Sequence, residues 1–192
     1  MKIVQWNMSK KTQPMTGVKK YEDELYSNVE TQKEIDLKRI RRANNVILGN
    51  TVASWFLTYK SGDADIVHAT CQTIAPVALI NKPKRFIVTV LDLIPLVYPS
   101  ILGKDLSLMI QWLLTPKALE RVDKIIVVSE FTKKEIVSLL GINEARICVI
   151  PLAVDHSKYY PKNKAECRRK FGLQENGKYI LAVASNNENK GK

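Results

Sequence analysis

The chain has 192 residues, 45% of them apolar, and a formal net charge of +11 at pH 7. This length accommodates one α/β domain with a full core and excludes two complete ones, while the apolar share excludes a disordered chain. The longest apolar run, Phe86 to Leu102, is interrupted by Asp92, Pro95 and Pro99, which excludes it as a membrane span of ~20 unbroken apolar residues.

Short apolar runs alternate with helical patterns, as in a parallel sheet built from βαβ units. Lys2 to Trp6 predicts the first strand, and a polar loop carries the chain to Gly17. A helix follows from about Lys19 to Glu30, with Val18, Tyr21, Leu25 and Val29 on one face. Ile35 to Arg41 alternates apolar and charged residues and predicts a second, edge-like strand. Val46 to Tyr59 has a helical period, Ala64 to Ala69 predicts the third strand, and Phe86 to Leu91, rich in β-branched residues, the fourth. Asp105 to Arg121 predicts a helix bent at Pro116, and Lys124 to Val128 the fifth strand. In the next helix Thr132 and Glu135 have the spacing of a capping box, with Ser129 as the alternative start, and Gly141 is placed to stop it. Arg146 to Ile150 predicts a sixth strand ended by Pro151. From Ala153 to Lys178 the chain turns polar and reads as a linker with a short helix around Lys164 to Phe171; Tyr179 to Ala184 predicts one more strand.

No G-x-G-x-x-G, phosphate-loop lysine or G-x-S-x-G motif is present, so dinucleotide, P-loop and hydrolase readings fail on their glycines. Three widely spaced cysteines support neither a disulfide framework nor a zinc site, and a reducing cytoplasm fits them best. No signal peptide is expected behind Lys2. The basic residues are dispersed and never interleaved with aromatics, so no nucleic-acid partner is expected. They read as a solvated basic surface or as a contact for a lipid surface or phosphates. His68 reads either as a buried, hydrogen-bonded residue or as a catalytic one, and His156 as solvent-facing.

The stretch from Val122 to Pro161, VDKIIVVSEFTKKEIVSLLGINEARICVIPLAVDHSKYYP, closely resembles a segment of glycosyltransferase family four, the large GT-B group of retaining sugar-nucleotide transferases. Thr16 to Tyr21 resembles that family's TGIGRY loop, Ala64 to Ala69 its third strand, and Leu91 to Pro95 its HDLIP turn. Tyr179 to Gly191 resembles the start of its second lobe. The resemblance implies a Rossmann-like α/β domain over residues 1–152, with a mostly parallel sheet and helices on both faces. A linker over 153–178 and the first strand of a truncated donor-binding domain over 179–192 complete the expected layout.

The implied reaction moves a sugar from a nucleotide-sugar co-substrate to an acceptor hydroxyl with retention, without cofactor or metal. Gly17, Ser129 and Lys190 are expected beside the donor phosphates, and Thr16 and Asp92 on the acceptor side, Asp92 as the catalytic candidate. On local grounds alone Gly17 is equally a plain strand-to-helix turn, Asp92 a turn cap and Ser129 a helix cap. Glu22 and Glu30 have the spacing of a glutamate pair belonging to the family's second lobe, but without its context they read as solvent-facing charges. Two departures stand out. Leu91 occupies the usual histidine position, and Asn189 stands where an arginine normally precedes Lys190. Leucine transfers no proton, so a catalytically inactive acceptor- or partner-binding module is the alternative function. The expected partners are a glycan or lipid-linked acceptor, an anionic membrane surface and a second chain supplying the donor lobe. The expected place is the cytoplasm, peripheral at the inner membrane face.

Overall fold

The computed structural model describes residues 1–42 and 52–181. Six strands form one sheet: β1 (Lys2–Asn7), β2 (Asp36–Arg41), β3 (Ile66–Ala69), β4 (Phe86–Val90), β5 (Lys124–Val127) and β6 (Ile147–Val149). Their order is β2-β1-β3-β4-β5-β6, and every neighbouring pair is parallel. The helices are α1 (Gly17–Glu30), α2 (Val52–Thr58), α3 (Ile94–Val97), α4 (Leu106–Leu119), α5 (Glu130–Leu140) and α6 (Lys164–Lys170). Short 3₁₀ turns span Gln72–Leu79, Pro99–Leu102 and Glu144–Arg146. The molecule divides into two compact units, residues 1–152 and 153–192.

The register explains the two faces of the sheet. Trp6 pairs with Ala69, Val67 with Phe86, Val88 with Ile125, and Ile125 with Ile147, so these buried side chains share one face. Trp6 packs 5.5 Å, centroid to centroid, from both Tyr59 and Phe86, and Trp55 stands edge-on to Tyr59. This aromatic cluster, with Ile74, Trp112, Leu119 and Ile136, forms the core. The opposite face carries Gln5, His68 and Thr89, and it is covered by α1. Gln5 donates to the Glu22 carbonyl, and the Tyr21 hydroxyl lies 3.0 Å from Thr89 Oγ1. Asp23 on α1 is paired with Arg39 and Arg41 of β2 at 2.6 and 2.5 Å. The chain steps one way from β1 to β2 and the other way from β3 to β6. Because parallel crossovers are right-handed, that reversal places helices on both faces.

Several local expectations are met and several are corrected. Gly141 stops α5 with φ 64°, the left-handed cap a glycine adopts without a Cβ clash. The capping-box reading of Thr132 and Glu135 is replaced: Ser129 is the N-cap, and its Oγ accepts from the Thr132 amide at 3.1 Å. α4 runs through Pro116 to Leu119. The helix expected over Val46 to Tyr59 is seen from Val52, and its earlier part lies outside the described residues. The strand expected over Tyr179 to Ala184 is not formed in its described part, Tyr179–Leu181. Strand backbone needs ladder partners, and this segment has none in the sheet. Within the second unit, α6 is capped by Asn163, and Arg168 donates to the Gly177 carbonyl at 2.7 Å.

Candidate functional site at the carboxyl edge of the sheet

In open parallel sheets ligands bind beyond the carboxyl ends of the strands, at the point where the strand order reverses. Here that point lies between β1 and β3, because the chain leaves β1 toward β2 and β3 toward β4. The ends of these strands are polar and buried. Gln5, Asn7, Ser9, Glu22, Thr70, Gln72, Thr73 and Thr89 all sit out of solvent. A buried polar group is costly unless it is hydrogen-bonded, so the partners of each define what this edge is built to hold.

Glu22 is the hub. It is 0% exposed, and its carboxylate accepts from the Met8 amide at 2.6 Å, the Ser9 amide at 3.2 Å and the Ser9 hydroxyl. Thr70 Oγ1 lies 2.6 Å from Glu22 Oε1 and 2.9 Å from the Trp6 carbonyl, so its single proton is shared between them. One side chain on α1 therefore clamps the loop leaving β1 to the residue that follows β3. The expectation that Glu22 faces solvent is wrong. Val18, Glu22, Leu25 and Val29 recur at helical spacing, so the residue sits on the inward stripe of α1. Backbone amides and hydroxyls replace the water around its carboxylate. Gln5 completes the layer, donating to Asn7 Oδ1 at 2.9 Å and to the Glu22 carbonyl at 3.0 Å. Asn7 Nδ2 is buried with no acceptor among the described residues.

The β3 and β4 ends are tied in the same manner. The Gln72 amide donates to the Asp92 carbonyl at 3.0 Å and accepts from the Leu91 amide at 3.1 Å, holding the Leu91–Asp92 turn against the segment after β3. Asp92 Oδ1 accepts from the Ile94 amide at 3.1 Å and opens α3. No described residue donates to Asp92 Oδ2. His68 is partly buried, and its Nε2 lies 2.8 Å from Thr89 Oγ1, which also meets the Tyr21 hydroxyl. Burial pushes the His68 imidazole down to about 4, so the ring is neutral near pH 7. Burial also raises the Tyr21 phenol and the Cys71 thiol, which leaves both protonated.

The residues singled out in the sequence fall as follows. Thr16 is the N-cap of α1, and its Oγ1 accepts from the Lys19 amide at 3.2 Å. Gly17 is the first residue of α1. A Cβ built on it meets nothing within 4 Å, so the protein's own packing does not require glycine there. Lys19 turns back and ties the preceding loop through the Lys11 carbonyl at 3.1 Å and the Gln13 carbonyl. Ser129 follows β5 and is used as a cap. Thr16 and Gly17, Asp92, and Ser129 thus leave the carboxyl ends of β1, β4 and β5 on one edge of the sheet. Lys190 lies outside the described residues. His156 is exposed. Sequence reasoning missed Gln72 and Thr70, which carry no motif and acquire their roles only by facing Asp92 and Glu22.

A concavity lined by Lys82, Glu120, Arg121, Asp123 and Arg146 lies at the opposite, amino-terminal edge. Its charges are committed internally: Lys82 pairs with Asp123 at 2.8 Å, and Arg146 donates to the Leu119, Glu120 and Val122 carbonyls at the end of α4. It is a structural brace for that helix end.

The fold is a doubly wound α/β domain with a polar carboxyl edge. A family model described as Glycosyltransferase Family 4 matches residues 20–158, which covers most of the chain and every strand from β2 to β6. The chain belongs to that glycosyltransferase family. No curated protein matches the chain.

Proposed function

We propose that the chain transfers a sugar from a nucleotide-sugar donor to an acceptor hydroxyl with retention of configuration. The observation that carries this reading is the placement of Gly17, Asp92 and Ser129 on one edge of the sheet, in a chain of this family. Glycine at the start of α1 leaves open space where a side chain would stand. The positive end of a helix favours anions by about 0.3–1 kcal/mol when exposed. In this reading the donor diphosphate lies against Gly17 and Ser129, and Lys190 is a further candidate for its phosphates. Asp92 has Oδ1 committed to the Ile94 amide, so Oδ2 takes the acceptor hydroxyl and orients its oxygen toward the anomeric carbon. The bond from that carbon to the diphosphate breaks, the acceptor oxygen bonds on the same face, and its proton leaves with the phosphate. Sugar choice belongs to a donor-binding lobe, supplied in the same chain or by a second one.

The test is nucleoside diphosphate release from a panel of nucleotide sugars, with and without glycan or lipid-linked acceptors. Acceptor-dependent release is expected, unchanged by a chelator because no metal takes part, with the product anomer matching the donor. Leu91 favours the second reading, a binding module, because it offers no proton beside Asp92. Acceptor binding without turnover of any donor, even with a donor-binding lobe supplied, decides for the module.

A further inference from the structure

Gln72 is 4% exposed and opens the 3₁₀ turn Gln72–Leu79, whose residues from Gln72 to Ala78 are all buried. A side-chain amide in such a place is costly unless both of its ends are hydrogen-bonded. Here both ends go to one short stretch of main chain. Nε2 donates to the Asp92 carbonyl at 3.0 Å, and Oε1 accepts from the Leu91 amide at 3.1 Å. The partners settle which way the amide is turned, since a backbone N–H only donates and a carbonyl only accepts. The last ladder pair of β4 is Val90 with Val127, so Leu91 and Asp92 lie beyond the hydrogen bonds of the sheet, and Gln72 supplies replacements. Its own placement is tied down as well. Two residues earlier, Thr70 Oγ1 lies 2.9 Å from the Trp6 carbonyl and 2.6 Å from Glu22 Oε1. Just after it, the Ile74 amide donates to the Cys71 carbonyl at 3.1 Å.

We propose that Gln72 is the positioning residue for Asp92, acting through the main chain and touching no substrate. This role rests on the glycosyl-transfer reading, in which Asp92 Oδ2 orients the acceptor hydroxyl. Two restraints act on that side chain. Gln72 holds the backbone that carries it, and the Ile94 amide, 3.1 Å from Oδ1, holds its rotation. Neither uses Oδ2. A carboxylate held in this way enters the reaction already oriented, and a displacement of about 1 Å is enough to cost about 10²-fold in rate. The chemistry is particular to glutamine. Asparagine withdraws the amide by one methylene, leucine leaves the Leu91 N–H and the Asp92 carbonyl unpaired, and an ionised glutamate has no proton for that carbonyl. Because the Gln72 side chain is buried, its contribution falls on the rate of transfer rather than on substrate affinity.

Gln72→Leu and Gln72→Asn are assayed beside the parent chain, with a donor-binding lobe supplied. The readout is acceptor-dependent release of nucleoside diphosphate from the nucleotide sugar that the parent turns over. Gln72→Leu should lower kcat by about 10²-fold and leave KM for donor and acceptor within about twofold, with Gln72→Asn in between. In an Asp92→Asn background, Gln72→Leu should lower turnover no further, because residues that act through one carboxylate are non-additive. Circular dichroism melts show which variants are folded, and Gln72→Asn, the milder change, carries the test if Gln72→Leu is not. A folded variant with the parent's kcat, a loss confined to KM, or a loss that multiplies with that of Asp92→Asn overturns the proposal. Amide exchange is the independent measurement. Leu91 should exchange about tenfold faster in both variants, with the Thr132 amide on α5 as the unaffected control. Exchange at the parent rate overturns the proposal whatever the assay gives. A parent chain that turns over no nucleotide sugar sinks the glycosyl-transfer reading, while exchange at Leu91 still decides whether Gln72 holds Asp92, so the two fail separately.

Discussion

Glu22 shows how a single side chain organises the site. It replaces water around one buried carboxylate with two backbone amides and two hydroxyls drawn from the β1 loop and the end of β3. Glu22→Ala orphans the Met8 and Ser9 amides in a buried place and should cost roughly 3 kcal/mol. Urea denaturation measures that loss, and amide exchange at Met8 and Ser9 should accelerate with it. Glu22→Gln keeps one acceptor but turns an NH₂ toward donors, so its loss should be intermediate. His68 contributes a pH dependence whose sign follows from burial. The folded pKa, about 4, lies below the ordinary 6.5, so the unfolded chain binds the extra proton first. Stability is then full above pH 6.5 and falls as pH drops toward about 4, by at most about 3 kcal/mol. Residual accessibility of the ring reduces that figure through solvent screening. The unfolding midpoint of His68→Gln, followed over the same range, should be flatter than that of the wild type.

At the scale of elements, α5 separates what a cap does from what a ligand site does. Ser129→Ala removes the acceptor for the Thr132 amide and should lower stability by about 1 kcal/mol. Ser129→Asp restores the cap and adds a favourable charge at the helix start. If donor phosphates lie there, both variants should raise KM for the donor, and Ser129→Asp more so through charge repulsion. Equal KM values for wild type and both variants confine Ser129 to capping. The helix itself was legible in the residues because its signals are local: an N-cap oxygen, an apolar stripe and Gly141 at the stop. The exact cap was harder to read, since Ser129 and Thr132 both offer hydroxyls and only backbone geometry selects between them. Glu22 was misread for the opposite reason. Its chemical type argues for solvent, its helical position argues for burial, and the deciding donors come from Met8, Ser9 and Thr70, the last of them distant in sequence.

On the scale of the whole molecule, the sheet has one deeply apolar face and one mixed face that carries Gln5, His68 and Thr89, and the direction reversal at β1 gathers the polar strand ends into a single region. The apolar outer side of α4 is a surface feature that the core does not explain. Composition alone hid it, because a buried apolar helix and an exposed one read alike in sequence. By itself the sequence determined the parallel α/β class, the order of strands and helices, the glycine stop of α5 and the family resemblance. All of these rest on local periodicity, capping chemistry or motif spacing. Only the tertiary structure decided that Glu22 is a buried clamp, that Gln72 holds Asp92, that His68 is neutral and that Leu106 and Leu113 face outward. Each of those depends on which distant groups come to lie beside a side chain and displace its water, and no local pattern encodes that.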